Sequence, residues 1–124
     1  MKKYLELQDI TAYRIAFDLA NYVWDVVVRW NYFAKDTVGK QLVKAIDSVS
    51  ANIAEGFGRY FKKDKINFYR YSYGSIDESS DWIEKANKRG LLKEKEYQYI
   101  LQELKKIPKE INHLINFTNE KLSI

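Results

Sequence analysis

The sequence of 124 residues contains no cysteine, one histidine and one proline. Without cysteine the chain forms no disulfide, and it offers neither a thiolate for a metal nor a sulfur nucleophile. Di-iron sites in helical bundles need two Glu-x-x-His motifs, and Glu110 with His113 supplies one per chain. The glycines of residues 56–59 (GFGR) lack the preceding strand and the lysine that a phosphate-binding loop requires. These absences predict a protein that is not an enzyme, with no catalytic residues, no metal site and no cofactor.

Long apolar runs are also missing. No stretch of 18 residues is free of charge, and even the three valines of residues 26–28 lie between Asp25 and Arg29. Residues 1–10 carry two lysines but no apolar segment of the kind found in secretory signals. We therefore expect no membrane span, no signal peptide and a cytoplasmic location.

The apolar residues recur with a period of 3.6, and sustained alternation of apolar and polar residues is absent. This pattern predicts four helices, at about residues 10–30, 37–56, 64–89 and 94–121. Short connections between helices make successive helices antiparallel neighbours. The sequence therefore predicts an all-α fold, in which residues 1–124 form a single domain with an antiparallel up-down-up-down four-helix bundle.

Capping residues set the expected ends of these helices. Asp9 and Asp36 are expected to cap the first and second helices, and Gly56 is expected to close the second in the left-handed conformation. Gly90 is expected to end the third helix, followed by a leucine that makes the usual apolar contact. Pro108 lies inside the fourth helix, where the apolar pattern continues across it, so we expect a kink rather than a break.

Two features suggest contacts beyond the core of one bundle. The first helix carries two apolar stripes, which exceed the needs of one core contact, so we expect one stripe in the core and part of the other against another subunit. The stripes are Tyr13, Ala16, Phe17, Ala20, Val23, Trp24 and Val27, and Ala12, Ile15, Leu19, Tyr22 and Val26. The third helix carries Gly74 beside a row of serines at positions 72, 75 and 79. An interior glycine costs roughly 1 kcal/mol relative to alanine, and the close approach of another helix would compensate for this cost.

The positive charge of the chain is local. The net charge is +4, and residues 57–70 alone hold five basic residues and one acidic residue, 5 − 1 = +4. A local basic segment indicates a polyanionic partner, and a solvated helix end rich in lysine has the same composition. On the third helix, Asp77, Asp81 and Glu84 share a face, with Glu78 beside them. This acidic face has three possible interpretations: a solvated surface, a cation site, or a contact with the basic segment of a neighbouring subunit.

One part of the sequence is far more specific than the rest. Residues 48–59 read SVSANIAEGFGR, Gln41 and Leu42 precede them, and residues 73–78 read YGSIDE. Together they resemble the small four-helix-bundle proteins encoded by intervening sequences within bacterial large-subunit (23S) ribosomal RNA genes, whose pattern runs roughly QLRRAAVSIPSNIAEGxGR and then GSxxEL. The matching residues are Gln41, Leu42, Ala45, Ser48, Asn52, Ile53, Ala54, Glu55, Gly56, Gly58, Arg59, Gly74, Ser75 and Glu78. Ser50 and Ala34 replace the family prolines, and Val43 replaces an arginine.

The resemblance implies a four-helix bundle that forms a homo-oligomer, a pentameric ring above all, with RNA or another nucleic acid as a partner. The residues of the matched motif are Asn52, Glu55, Gly56, Gly58, Arg59, Gly74 and Glu78. We interpret this motif mainly as a structural contact at a helix–helix corner. Glu55 or Glu78 would hold Arg59 by a bidentate bond, Asn52 would bond a backbone group of the loop, and two glycines would let the chain turn tightly. In the alternative interpretation, Arg59 is presented to phosphate.

Three tyrosines surround Arg70, and aromatic rings beside an arginine can form a stacking platform for bases. Tyr69 and Tyr73 share one helical face, and Tyr71 points elsewhere. We therefore expect Tyr69 and Tyr73 in the core.

The leading functional hypothesis is a non-enzymatic oligomeric bundle that binds RNA or other nucleic acid through basic residues repeated by symmetry. Phosphate affinity grows with each counterion released, so several weak patches around a ring bind more tightly than one. The expected contacts are Arg59, Lys62, Lys63 and Lys65, with Lys40 and Lys44 farther out. The alternative is a protein–protein scaffold or accessory module that binds no nucleic acid.

Overall fold

The computed structural model describes residues 5–122, and within them every regular element is helical. The four long helices are α1 (Thr11–Val27), α2 (Lys40–Gly58), α3 (Lys62–Lys88) and α4 (Glu94–Lys121). Each helix packs against its neighbours in the sequence, and α1 also packs against α4. This closed order is compatible with an up-down-up-down bundle, and the predicted all-α four-helix fold is confirmed.

The core lies between the four inward helix faces. Apolar residues three and four positions apart share one side of a helix, so each helix contributes one buried row. The largest fully buried apolar side chains are Leu19, Val23, Leu42, Ile46, Val49, Ile53, Tyr69, Ile83, Ile100, Ile107 and Ile111. They come from all four helices, which explains why the bundle closes around a single apolar cluster.

The predicted ends of α1 are wrong. Asp9 does not cap this helix, since it ends a short 3-10 helix, Leu7–Asp9, and its carboxylate accepts the Glu6 backbone N–H at 2.8 Å. Ile10 separates the two helices in extended conformation, and α1 ends at Val27, three residues before the predicted end.

The connection between α1 and α2 is more helical than the sequence suggested. Asn31, and not Asp36, provides the cap, because its Oδ1 accepts the backbone N–H of Ala34 at 3.0 Å. The following turn, Tyr32–Ala34, continues through a π-helix, Lys35–Gly39, directly into α2. Asp36 therefore lies inside a helical segment, where its carboxylate pairs with Lys40 at 3.4 Å.

Gly56 does not close α2. The helix continues to Gly58, and the one positive φ among residues 5–122 belongs to Gly90. Gly56 is instead buried where α2 meets α3. A Cβ at this position would lie 2.7 Å from Cε1 of Tyr69 and 2.8 Å from the carbonyl oxygen of Lys65. The sequence needs glycine here because the two helices approach closely, and not because the chain turns.

Gly74 has the opposite environment, so the expected close approach at this residue is wrong. It is exposed, and a Cβ there would meet no other atom within 4 Å. The serines beside it do face the neighbouring helix. Ser72 is fully buried and its hydroxyl donates to the Val49 carbonyl of α2 at 3.0 Å, while Ser79 is also fully buried. Small side chains and Gly56 together account for the close packing of α2 on α3.

Two predictions about the later helices are confirmed. Gly90 follows α3 with φ 74°, and the N–H of Leu91 donates back to the Ala86 carbonyl at 2.9 Å, which satisfies a carbonyl at the helix end. Residues Glu94–Lys121 form one helix with Pro108 inside it, so the proline does not break α4.

The buried face of α1 does not coincide with either predicted stripe. Its buried residues are Ala12, Ala16, Leu19, Ala20, Val23, Val26 and Val27, which come from both stripes. The side chains of Phe17 and Trp24 remain about half exposed, as does Val28 just beyond the helix. The side of α1 that faces the core lies between the two predicted stripes. The outer edge of one stripe, with Phe17 and Trp24, therefore stays at the surface, and together with Val28 it forms an apolar strip.

The buried phenol of Tyr69 predicts a loss of stability in alkali. Burial raises its pKa from 10.0 to about 12. Between these values the unfolded chain has lost the phenolic proton and the folded chain has kept it, so the free energy of unfolding falls as pH rises. Compared with Tyr69→Phe, the native protein should lose about 2 kcal/mol between pH 9 and pH 11.5. Urea unfolding of both proteins at the two pH values measures this, and equal pH dependence would contradict it.

Candidate nucleic-acid interface

The corner between α2 and α3 carries the most specific part of the sequence. Nε of Arg59 donates to Oε2 of Glu55 at 3.0 Å, and the guanidinium carbon of Arg59 lies 4.6 Å from the ring centroid of Phe68. Both members of the ion pair are about half exposed, so the pair contributes little to stability. These contacts orient the Arg59 side chain along the surface of the corner.

Three details of the expected corner contact differ in the structure. The bond from Arg59 to Glu55 uses one nitrogen and is not bidentate. Glu78 is exposed and does not reach Arg59, because it lies about 24 Å along α3 from the start of that helix. Asn52 bonds no loop backbone, since its Nδ2 donates to Oγ of Ser75 at 3.4 Å and so links α2 to α3.

Lys65 faces inward, in contrast to its predicted role as a nucleic-acid contact. Its Nζ donates to the carbonyl oxygen of Phe57 at 2.7 Å and lies 5.5 Å from the centroid of the Phe57 ring. That carbonyl belongs to the last turn of α2, where no backbone donor is available along the helix. Burial lowers the pKa of the Lys65 ammonium. Lys65 therefore caps the end of α2, and its ammonium is engaged within the chain.

A shallow cleft beside the corner collects the other basic residues of this segment. Its volume is about 290 Å³, and its lining is Lys62, Lys63, Ile66, Asn67, Arg70 and Asn119. Among the described residues, no carboxylate lines the cleft. Within residues 5–122 the three basic residues at positions 62, 63 and 70 form no ion pair, so their charges are available to an outside anion.

Lys40 and Lys44 lie far from this cleft. Both are exposed, but they occupy the first turns of α2, whereas Arg59 follows the end of that helix. At 1.5 Å per residue they are roughly 28 and 22 Å from Arg59 along the helix axis. The six predicted contact residues therefore lie in different places. Lys62 and Lys63 line the cleft, Arg59 lies beside it and Lys65 faces inward. Lys40 and Lys44 are remote from it.

Three polar residues of the cleft, Asn67, Arg70 and Asn119, were not predicted as contacts. Lys63, Asn67 and Arg70 follow one another at four- and three-residue steps along α3, so helical spacing could have identified them as one exposed row. Asn119 comes from the last turns of α4, and no local pattern in the sequence connects it with α3.

The acidic face of α3 is partly used within the chain. Asp81 pairs with Lys85 at 2.6 Å, and both carboxylate oxygens of Glu84 accept from the Tyr97 hydroxyl, at 2.8 and 2.9 Å. The bond to Glu84 raises the pKa of Tyr97. Over the described part of the chain, no group of three or more candidate ligands is placed to hold a metal ion.

The single histidine lies at the surface of α4. Nδ1 of His113 is 3.5 Å from Oε1 of Glu110, one turn earlier on the helix. The imidazole is more than half exposed. This is the geometry of a surface pair, with no further ligand beside it among residues 5–122.

The tyrosines around Arg70 are arranged as predicted. Tyr69 is buried, Tyr73 is half-buried and Tyr71 is exposed. The exposed ring of Tyr71 contacts Phe68, with 5.2 Å between centroids.

None of the helices in residues 5–122 combines the length and the apolar character needed to cross a membrane.

Comparison with known proteins agrees with this architecture. A crystal structure of a protein of unknown function from the S23 ribosomal protein family of Bacteroides thetaiotaomicron VPI-5482 matches with a TM-score of 0.74 at 18% identity, over 85% of this chain and 98% of that one. At this identity the match shows a shared fold. A search of curated proteins found no match. The family model of the 23S rRNA-intervening sequence protein matches residues 8–113, and the chain therefore belongs to this family.

Proposed function

We propose that this protein is a non-enzymatic, cytoplasmic, oligomeric bundle that binds the backbone of RNA through the cleft at the start of α3. The observation that carries the proposal is the cleft itself, where Lys62, Lys63 and Arg70 converge without a carboxylate among the lining residues. Two asparagine amides beside them, Asn67 and Asn119, can donate hydrogen bonds to phosphate or sugar oxygens. Contacts of this kind recognise charge and hydrogen-bonding groups of the backbone, and not base sequence.

Self-association is part of the proposal. The exposed apolar strip consists of Phe17 and Trp24 on α1 and Val28 just beyond it. These three residues are 44–54% exposed, and they span more than two turns of helix. Exposed apolar side chains grouped on one helix face are typical of a protein–protein contact. A closed homo-oligomer, with a pentamer as the expected form, would repeat the cleft around a ring. Each added phosphate contact then strengthens binding through further counterion release.

Light scattering on the purified protein tests both parts. We expect the mass of several chains, and a shift to lower mass in Trp24→Gln, which places a polar amide in the strip. With a single-stranded RNA of about 20 nucleotides we expect uptake at about 50 mM salt and release at about 500 mM. Lys88→Gln is the control, because Lys88 lies at an exposed helix end and its substitution leaves the strip unchanged. Trp82→Gln is unsuitable as a control, because Trp82 packs against the core.

Two results would contradict the proposal. A monomer at all concentrations, in the native protein as in Trp24→Gln, would exclude self-association. An assembly that takes up no RNA at any salt would exclude nucleic-acid binding. In that case the exposed strip would favour the alternative function, a scaffold for another protein, and capture of a protein in a salt-insensitive manner would support it.

A further inference from the structure

We infer that the corner between α2 and α3 holds a single-stranded segment of nucleic acid, whose bases stack on Tyr60, Phe61 and Tyr71 while its phosphates lie at the cleft. This inference rests on the proposed function and specifies the form of RNA that the cleft takes. Base stacking on aromatic rings tolerates any sequence, because every base has a flat face.

The three rings are more exposed than a folded domain of this size requires. Tyr60 is 72% exposed, and Phe61 and Tyr71 are each 56% exposed. They have no role in the core, since the apolar cluster contains none of them. Exposed rings lose contact with water only when a ligand covers them, so they favour an apolar, flat partner.

The rings are held so that flat faces remain open. Tyr60 and Phe61 form an edge-to-face pair with 5.1 Å between centroids and 86° between planes. Tyr71 pairs with Phe68 in the same manner, at 5.2 Å and 77°. In an edge-to-face pair one ring contributes only its edge, so each pair occupies one ring face and leaves the others for a ligand.

Rings and cations lie near each other around the start of α3. Phe61 immediately precedes Lys62 and Lys63, and Tyr71 lies one turn after Asn67 of the cleft, beside the row Lys63, Asn67 and Arg70. That row spans about 10 Å along α3, the length of a few nucleotides. One turn beyond it, Gly74 is exposed and carries no side chain, so the surface stays open in that direction.

The combination distinguishes a single strand from a duplex. A cationic cleft alone would accept the phosphates of either form. In a duplex the base faces are stacked on each other and cannot reach protein rings, whereas the bases of a single strand are free to stack on them. The exposed rings therefore favour single-stranded RNA or DNA over a helix.

The experiment compares three fluorescent probes of 12 nucleotides by anisotropy: single-stranded RNA, the same RNA as a duplex, and a strand with the same phosphates but no bases. The proteins are the native chain and the triple variant Tyr60→Leu, Phe61→Leu, Tyr71→Leu, which keeps apolar exposure but removes the rings. Tyr32→Leu is the matched control, because Tyr32 is 77% exposed and lies in the helical turn before α2, away from this corner. Light scattering and thermal unfolding show whether each variant keeps its assembly and fold.

We expect the native protein to bind the single strand about 10-fold or more tightly than the duplex or the abasic strand. The triple variant should lose this preference, with a drop of about 10- to 100-fold for the single strand, little change for the other two probes and an unchanged salt slope. Tyr32→Leu should behave as the native chain. Equal single-strand affinity in the native and triple-variant proteins, or tighter binding of the duplex, would overturn the inference and leave the proposed function standing. If the native chain binds none of the three probes, the proposed function fails and this inference with it.

Discussion

Replacing Gly56 with alanine should lower the free energy of unfolding by about 2–3 kcal/mol. The added methyl group would lie 2.7 Å from the Tyr69 ring and 2.8 Å from a backbone carbonyl of α3. The ring is fully packed in the core, and the carbonyl moves only if the helix moves. The substitution therefore separates α2 from α3 at a close contact of the two helices, which outweighs the gain from the better helix propensity of alanine.

Two neighbouring glycines of the same sequence motif provide matched controls. Gly58→Ala and Gly74→Ala each place a Cβ in open space, with no atom within 4 Å, and neither glycine has a positive φ. Gly74 is interior to α3 and exposed, so alanine there should stabilise the protein by about 0.5–1 kcal/mol. Gly58 ends α2, and its substitution should be within about 0.5 kcal/mol of neutral.

Urea unfolding of the three variants measures these differences. A Gly56→Ala protein as stable as Gly58→Ala would show that the helices yield at this point at no cost, which contradicts the role assigned to Gly56. The comparison is informative because all three glycines belong to the stretch that carries the family resemblance. Only their environments in the bundle tell them apart.

Neutralising the cleft should have the largest effect on binding. In the triple variant Lys62→Gln, Lys63→Gln, Arg70→Gln, the affinity for single-stranded RNA at about 100 mM salt should fall by about 100-fold or more. Each phosphate contact contributes roughly 0.7 to the slope of log affinity against log salt for a single strand. Loss of three contacts should reduce that slope by about 2. The substituted side chains are at least partly exposed, so the fold should be retained.

The matched control removes two lysines that the cleft does not contain. Lys40→Gln, Lys44→Gln changes the net charge by two, and both residues lie on the first turns of α2. We expect a change in RNA affinity of less than about 3-fold, because long-range charge is screened beyond a Debye length of about 8–10 Å. Titrations over a series of salt concentrations give affinity and slope together. A similar loss in both variants would mean that RNA binds to the overall charge and not to the cleft.

The helical pattern of the sequence was enough to predict the class of fold. Period-3.6 rows place apolar residues on one side of each segment, and short connections leave antiparallel packing as the simple solution. The stop at Gly90 was also predictable, because an exposed glycine with a positive φ depends only on local backbone chemistry. Pro108 in the middle of an unbroken apolar row was predictable for the same local reason.

The candidate site was predictable only in part. Excess charge in residues 57–70 identified the segment that provides most of the cleft lining, and Lys62 and Lys63 do lie in the cleft. The direction of Lys65 was not predictable, because it depends on the distance between its ammonium and the carbonyl of Phe57 across the corner. Asn119 was not predictable at all, since it reaches the cleft from α4.

By itself, then, the sequence determined the number and type of helices, the end of α3 at Gly90, and the position of the basic segment. Each of these depends on contacts within a few residues of the chain. The tertiary structure alone decided which glycine must stay glycine, which lysine turns inward and which aromatic rings remain exposed. Those outcomes depend on how closely α2 approaches α3, and that distance is set by groups more than twenty residues apart, such as the Ser72 hydroxyl and the Val49 carbonyl.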